Sequence, residues 1–180
     1  MKQTDAIQKL REYDNQYGKY VYLKRDLKKL FGETENTLNQ TIQRLTKAGI
    51  IERAAHGVYM YTLSINIGEG TLDSIARNLR RGEITYESYE SALSAYGVIS
   101  QIPIDRRTYA TTGRSGEYRT PYGVIEFTHT KNEPARIIEG LHRYSGRKLP
   151  VASKQLAWKN LKSAHRNLDL VDMEELNADA

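Results

Sequence analysis

The fold prediction rests first on the stretch of residues 34–61, which reads TENTLNQTIQRLTKAGIIERAAHGVYMY. Leu38, Ile42 and Leu45 recur at helical spacing in its first half, which predicts a helix with one buried face. Two β-rich runs, IIER and VYMY, follow the helix and flank the short glycine-containing loop AAHG. This order predicts a β-hairpin directly after the helix.

The predicted helix has a polar face opposite its three apolar residues. Thr34 can cap its N-terminus and Gly49 is a natural stop, so the helix is expected to run from Thr34 to residue 48. Amide and charged side chains make up the polar face: Glu35, Asn36, Asn39, Gln40, Gln43, Arg44 and Lys47. Asn and Gln can pair a donor and an acceptor with adenine, and Arg can pair with guanine. The face therefore suits base recognition in a DNA major groove, and a solvent-exposed helix surface is the alternative.

Two further helices and a short strand are predicted upstream. The first helix can be capped by Thr4, and its apolar face carries Ile7, Leu10 and Tyr13. A strand follows at residues 20–22, and the second helix covers residues 23–31. Three helices and a hairpin predict a winged helix-turn-helix, whose third helix enters the major groove while the hairpin, or wing, reaches phosphates. Some winged helices bind protein instead, so a protein-interaction module is the alternative.

Basic residues around the winged helix are candidate phosphate contacts. They are Lys19, Lys24, Lys28, Lys47 and Arg53. His56 lies in the wing turn, where it either touches a phosphate or faces solvent. Glu35 at the helix start either stabilises the helix dipole or accepts a hydrogen bond from a cytosine amine. The predicted DNA-binding residues are Thr34, Asn36, Asn39, Gln40, Gln43, Arg44, Lys47, Lys24, Lys28, Arg53 and His56.

The composition narrows the class of protein. The 180 residues include 27 Lys and Arg against 22 Asp and Glu, a net charge of +5, and acidic residues are concentrated at the C-terminus. A basic body suits an anionic partner, double-stranded operator DNA first, with an ordinary solvated surface as the alternative. The absence of cysteine excludes disulfides, a thiol nucleophile and cysteine-based metal sites. Because the apolar runs are too short for a membrane helix or a secretion signal, we expect a cytoplasmic protein with no membrane partner.

A domain boundary is predicted at residues 64–70, where SINIGEG combines two glycines with an asparagine. It separates a winged-helix domain, residues 1–64, from a mixed domain, residues 70–180. Helices are predicted in the second domain at residues 71–81, 85–96 and 153 to about 167, the last one capped by Ser153. Strands are predicted at residues 98–102, 108–112, 117–120 and 124–129, with a weaker strand pair within 136–144. Helices followed by a run of strands predict an α+β fold.

An enzyme is the weaker hypothesis. The four histidines lack the spacing of a helical metal pair. Asp105 and Glu126, with Lys131 as a helper, could form a magnesium-dependent nuclease site, although charged residues beside strands are common. The GRSG segment at residues 113–116 lacks the rest of a phosphate loop and predicts a hairpin turn. We therefore expect no catalytic activity, no cofactor and no metal.

The second domain interleaves arginines with tyrosines. The arginines are Arg77, Arg80, Arg81, Arg106, Arg107, Arg114 and Arg119. Arginine beside aromatic rings can bind single-stranded nucleic acid, and helix-end and strand-edge charge is the alternative interpretation. Tyr86 and Tyr89 fit an inward helix stripe and are predicted to belong to the core.

Several segments together resemble the AbiEi family, the antitoxins of type IV toxin–antitoxin systems that are linked to abortive phage infection. Residues 38–53, LNQTIQRLTKAGIIER, closing on GVY at 57–59, are similar to the N-terminal winged helix of that family. Residues 82–99, GEITYESYESALSAYGVI, are similar to the start of its second domain. Residues 125–127 and the helix after Ser153 fall where the family has a later strand and a closing helix.

This resemblance implies two functions. One is repression of the chain's own operon, through the winged helix bound at inverted repeats. The other is neutralisation of a partner toxin, which in this family is usually a nucleotidyltransferase-like protein opposed without a stable complex. The second domain would carry the antitoxin function, in a monomer or weak dimer that can pair on DNA.

Overall fold

The computed structural model describes residues 1–101 and 104–178. The described residues form eight α-helices and two β-sheets, so the predicted α+β class is confirmed. The chain divides into two compact units, Met1–Leu79 and the residues from Arg80 onward. Within the described ranges, no helix combines the length and the apolar character that crossing a membrane requires.

The first unit contains four helices and one small sheet. Its elements are α1 (Gln3–Tyr17), β1 (Val21–Leu23), α2 (Lys24–Phe31), α3 (Glu35–Lys47), β2 (Ile51–Ala55), β3 (Val58–Tyr61) and α4 (Thr71–Leu79). The sheet is antiparallel with the strand order β1-β3-β2, so the early strand β1 pairs with the second strand of the hairpin. Leu27 of α2, Leu38 of α3 and Met60 of β3 are fully buried in its core.

The structure confirms the predicted faces of α3. Leu38 and Leu45 are fully buried and Ile42 nearly so, because their spacing places them along one stripe of the helix. Gly49 ends the helix with a φ of +71°, a conformation that favours glycine because it has no Cβ. The predicted hairpin follows, with a turn of only two residues, His56 and Gly57.

Two details of α1 differ from the sequence prediction. The helix starts at Gln3, so Lys2 and not Thr4 occupies its cap position. Tyr13 is 39% exposed and packs edge-on against Tyr17, with 5.3 Å between ring centroids. Leu10 is fully buried, as predicted, but its neighbours on the buried stripe are Ala6 and Asp14, and the sequence pattern did not mark Asp14 as a core residue.

Hydrogen bonds from the segment after the hairpin compensate for the burial of Asp14. Its carboxylate accepts hydrogen bonds from the Ser64 hydroxyl at 2.6 Å, the Ile65 amide at 3.1 Å and the Asn66 side chain at 2.8 Å. Thr71 at the start of α4 also bonds the hydroxyl of Tyr20 at 3.0 Å. Residues 64–70, predicted as the boundary between domains, are thereby tied to the first unit, which extends to the end of α4.

The second unit is built on a six-stranded mixed sheet. Its elements are β4 (Thr85–Glu87), α5 (Tyr89–Ala95), β5 (Arg106–Thr111), β6 (Gly116–Thr120), β7 (Gly123–His129), α6 (Pro134–Glu139), β8 (Leu141–His142), β9 (Val151–Ala152), α7 (Lys154–Ala164), a short 3-10 helix (Leu168–Leu170) and α8 (Met173–Asn177). The strand order is β6-β7-β5-β4-β9-β8. The β5–β7 and β4–β9 pairs are parallel and the others antiparallel.

The helix predicted over residues 85–96 is wrong in its first third. Thr85–Glu87 forms β4, and Tyr89 then begins α5 with a φ of +58°. The β-branched and aromatic residues of β4 favour a strand, and pairing with β5 and β9 stabilises it. Tyr86 and Tyr89 are nonetheless buried, as predicted for core residues.

Three other predictions for this unit need correction. Residues 98–101 form no strand, and Ile102 lies outside the described residues. Within 136–144, Pro134–Glu139 forms a helix because proline suits its first turn, and only Leu141–His142 is a strand. Residues 113–116 join β5 to β6 but make no hairpin turn, because β7 lies between those two strands.

The closing helix of the second unit begins as predicted. The Ser153 hydroxyl accepts a hydrogen bond from the Leu156 amide at 3.2 Å, which caps α7. The helix ends at Ala164, before the predicted position, because His165 takes a left-handed conformation with a φ of +51°. The later helix α8 was not predicted, although its buried residue Leu176 anchors it to the core.

Candidate functional site

The exposed side of α3 carries most of the predicted DNA-binding residues. We define the α3 face as Thr34, Asn36, Asn39, Gln40, Gln43, Arg44 and Lys47, all of which are exposed. Leu38 and Leu45 hold the opposite side of the helix in the core. Four of the seven side chains are amides, which carry both hydrogen-bond donors and acceptors. The face is thus a solvent-accessible row of groups that can match the edges of bases.

An ion-paired cluster lies at the N-terminus of α3, and we define this Glu35 cluster as Glu35, Lys24 and Lys28. The Glu35 carboxylate forms ion pairs with Lys24 and, at 3.6 Å, with Lys28, both from α2. The hydrogen bond and the charge of Lys24, with a smaller contribution from Lys28, hold the pKa of Glu35 below its ordinary value. Two predicted phosphate contacts are therefore neutralised by a carboxylate that sits beside the α3 face.

Lys24 also connects α2 to the turn of the hairpin. Its backbone amide donates to the Gly57 carbonyl at 3.2 Å, while its ammonium group contacts Glu35 at the start of α3. Within the hairpin, Arg53 Nη2 lies 2.8 Å from His56 Nδ1. The start of α2, the hairpin turn and the start of α3 are thus neighbours. This arrangement brings four predicted phosphate contacts into one region: Lys24, Lys28, Arg53 and His56.

The remaining basic candidates differ in their surroundings. Arg44 donates a hydrogen bond to the Met1 carbonyl. Lys47 at the end of α3 is exposed and has no ion pair within the described residues. Lys19 lies 3.7 Å from Asp26 and apart from the Glu35 cluster. Lys47 is therefore the basic side chain of the α3 face that is available without breaking an internal contact.

The sequence pattern did not predict a set of buried hydrogen bonds that holds the start of α3 in place. Glu33, just before α3, accepts hydrogen bonds at 3.0 Å from the Met1 amine and from the Thr41 hydroxyl. Thr41 is only 2% exposed, although it lies among the polar residues of the helix sequence. Thr41 is a polar residue at a position of the apolar stripe, and this was the signal available in the sequence. A buried threonine needs a hydrogen-bond partner, so its position indicates a polar group packed against the helix.

The residues of the alternative nuclease hypothesis lie in a salt-bridge network. Glu126 of β7 accepts from Arg106 at 2.8 Å and also pairs with Arg166. Asp105 and Lys131 are exposed, and among the described residues neither of them pairs with Glu126, whose ion-pair partners are the two arginines. No group of three or more His, Asp or Glu side chains suited to a metal ion occurs in residues 1–101 and 104–178.

The arginines of the second unit do not form one exposed surface. Arg80 is only 5% exposed, and its guanidinium carbon lies 4.1 Å from the Phe127 ring centroid and 5.2 Å from that of Tyr118. Arg106 is held by Glu117 at 2.7 Å as well as by Glu126. Both arginines therefore make structural contacts, which for these two residues favours the alternative of helix-end and strand-edge charge over a single-strand-binding patch.

The candidate interface consists of the α3 face, the Glu35 cluster and the hairpin turn. All three belong to the first unit, and hydrogen bonds or ion pairs of Lys24 link the cluster to the turn. No protein-family model matches the chain, and no curated protein matches it significantly.

Proposed function

We propose that the chain is a DNA-binding transcriptional repressor that occupies its operator through the α3 face. The observation that carries this proposal is the amide-rich, exposed surface of a helix whose opposite side is buried. The helices α1 to α3, followed by the β2–β3 hairpin with β1 at its edge, have the element order of a winged helix-turn-helix. In that architecture α3 is the recognition helix and the hairpin is the wing.

Recognition of the operator divides between bases and phosphates. Asn39, Gln40 and Gln43 supply paired donors and acceptors for base edges, adenine in particular. Lys47, and the lysines of the Glu35 cluster once released, supply phosphate contacts that position the helix. Arg53 and His56 in the hairpin would reach the adjacent backbone. Repression then follows from occupancy of the operator.

The overall charge supports an anionic partner. The net charge is +5 and the sequence pI is about 9.3. Phosphate neutralisation by lysine and arginine releases counterions from DNA, so the affinity of such an interface falls steeply as the salt concentration rises. A protein-interaction module would show no comparable salt dependence on DNA.

We further propose that the chain acts as an antitoxin of a type IV system. The support is the resemblance of residues 38–53 and 82–99 to the AbiEi family. The second unit would oppose a nucleotidyltransferase-like toxin, while the first binds inverted repeats upstream of the operon. Expression of the neighbouring gene alone should arrest growth, and co-expression of this chain should restore it. Absence of toxicity from that gene would overturn the antitoxin assignment and leave the repressor proposal intact.

A fluorescence-anisotropy titration tests the repressor proposal. The native duplex upstream of the gene and a scrambled duplex are titrated at two salt concentrations. We expect tighter binding to the native duplex, and Lys47→Gln should flatten the slope of log K against log salt by about 0.9 on both duplexes. Lys131→Gln removes the same charge from an exposed site in the second unit and should leave the slope unchanged. Equal or absent binding to both duplexes would contradict sequence-specific repression at this site.

A further inference from the structure

A groove of about 690 Å³ opens on the surface of the second unit. It lies beside α7, with α8 and residues near β8 completing its walls. Its volume falls within the range of about 300–1,000 Å³ that is typical of small-molecule sites in proteins. None of the residues discussed above for DNA recognition contributes to it.

Aromatic side chains form part of the groove wall. Tyr96 donates a hydrogen bond to the Ala152 carbonyl at 2.9 Å, and its oxygen lies 3.1 Å from that of Tyr144. Because the single hydroxyl hydrogen of Tyr96 goes to Ala152, Tyr144 is the donor in the second bond. Trp158 of α7 is half-buried and lines the same groove. The rings are thus partly fixed, which lowers the ordering cost of stacking a planar ligand against them.

The charge of the groove lining is entirely positive. Three lysines line it, and no aspartate or glutamate occurs among the described residues of the lining. Lys154 is committed to α8, because its ammonium group donates to the Glu175 carbonyl at 2.9 Å and the Ala178 carbonyl at 3.2 Å. Lys159 and Lys162 are exposed and have no ion pair within the described part of the chain.

Both available lysines line the same groove as the tryptophan. Lys162 lies one helical turn beyond Trp158, and its ammonium nitrogen is 5.1 Å from the Trp158 ring centroid. A planar aromatic surface next to cations matches a ligand that carries both a base and phosphate groups. An acidic peptide would use the lysines and leave the aromatic wall without a partner.

We propose that this groove binds a nucleotide, with the base stacked against Trp158 and the phosphates held by Lys159 and Lys162. Such a site would make the second unit responsive to a small molecule, a function separate from operator binding. The proposal does not depend on the repressor function, because every residue of the groove lies in the second unit.

Intrinsic fluorescence tests this proposal directly because Trp158 is the only tryptophan in the chain. ATP and GTP are titrated into the full-length protein, with N-acetyltryptophanamide as the inner-filter control. We expect a saturable change in emission with one or both nucleotides. Lys159→Gln and Lys162→Gln should each weaken binding about fivefold, the loss expected for one charge-assisted contact at an exposed site. Lys131→Gln, an equal charge change outside the groove, should bind as the wild type does.

Two fragments of the nucleotide and one further variant distinguish nucleotide recognition from binding of the base or of phosphate alone. Adenosine and tripolyphosphate should each bind more weakly than ATP, since each provides only half of the contacts. Trp158→Ala, measured by calorimetry after circular dichroism has shown that it folds, should lose nucleotide binding. No binding of either nucleotide at about millimolar concentration would overturn the proposal. Equal affinity for tripolyphosphate and ATP would also overturn it, by showing that the site recognises phosphate alone.

Discussion

Glu35→Gln is expected to strengthen binding to DNA of any sequence. The Glu35 carboxylate pairs with Lys24 and Lys28, and both ammonium groups lie beside the α3 face. Glutamine keeps the size of the side chain but removes the charge that holds the two lysines. The lysines can then transfer to phosphates, and the negative charge that repels the DNA backbone is lost.

The magnitude follows from the number of lysines released. Each additional phosphate contact steepens the slope of log K against log salt by about 0.9, so two contacts steepen it by up to about 1.8. At a salt concentration of about 0.15 M, the same relation gives about fivefold in affinity per contact and about thirtyfold for both. The fold itself should change little in stability, because ion pairs between exposed side chains contribute weakly.

The assay is an anisotropy titration of wild type and variant on native and scrambled duplexes over a range of salt. Glu117→Gln is the matched control, because Glu117 is also an exposed, ion-paired carboxylate but lies in the second unit. Its salt slope should equal that of the wild type. Weaker binding of Glu35→Gln to the native duplex alone, with an unchanged slope, would contradict the release of these lysines to phosphates. That result would instead identify Glu35 as an acceptor for a cytosine amine.

Two further predictions concern the second unit. Asn160→Ala should lower the free energy of unfolding by about 2–3 kcal/mol. The buried Asn160 amide donates hydrogen bonds to the hydroxyls of Tyr86 at 3.0 Å and Ser88 at 2.8 Å, and alanine would leave both hydroxyls without this donor. Urea denaturation checks this, with Gln155→Ala on the exposed side of the same helix expected to stay within about 0.5 kcal/mol. The second prediction concerns stability in acid. The hydrogen bond and the charge of Arg106 lower the pKa of Glu117 below its ordinary value of 4.5. The ionised carboxylate therefore stabilises the fold above about pH 4.5, and this contribution is lost as the pH falls through the lowered pKa of the folded protein. Glu117→Gln should therefore show a shallower loss of stability below about pH 4.5 than the wild type in urea melts, and parallel pH profiles would count against it.

The local sequence pattern was sufficient to predict α3 and the hairpin that follows it. Leu38, Ile42 and Leu45 define a single buried stripe, and a glycine at each turn sets where the elements end. Because the buried residues of α3 were predicted correctly, helical geometry also gave the positions that are exposed on its opposite side. The composition of the α3 face was therefore predictable residue by residue.

Long-range pairing explains where sequence reasoning was wrong. Tyr86 and Tyr89 have helical spacing, yet Tyr86 lies in a strand because β5 and β9 pair with that segment. Asp14 looks like a surface residue of α1, but Ser64 and Asn66 supply the hydrogen bonds that allow its burial. These partners lie far along the chain, so no local pattern marks them.

The electrostatic part of the candidate interface was only partly predictable. Lys24 and Lys28 were predicted as phosphate contacts, and Glu35 as a helix-start residue, but their ion pairing depends on how α2 packs against α3. The contact of Lys24 with the hairpin turn depends in the same way on the pairing of β1 with β3. The sequence shows which charges are present, and the packing shows which of them neutralise each other.

We propose that the α3 face reads bases, and a paired titration of Gln40→Ala and Gln155→Ala is the decisive measurement. Both glutamines are exposed on helices, Gln40 on the α3 face and Gln155 on α7. On the native upstream duplex, Gln40→Ala should lose about 1–3 kcal/mol of binding free energy, with no loss on the scrambled duplex, while Gln155→Ala matches the wild type on both. An equal loss on both duplexes, or no loss on either, would contradict base reading by the α3 face.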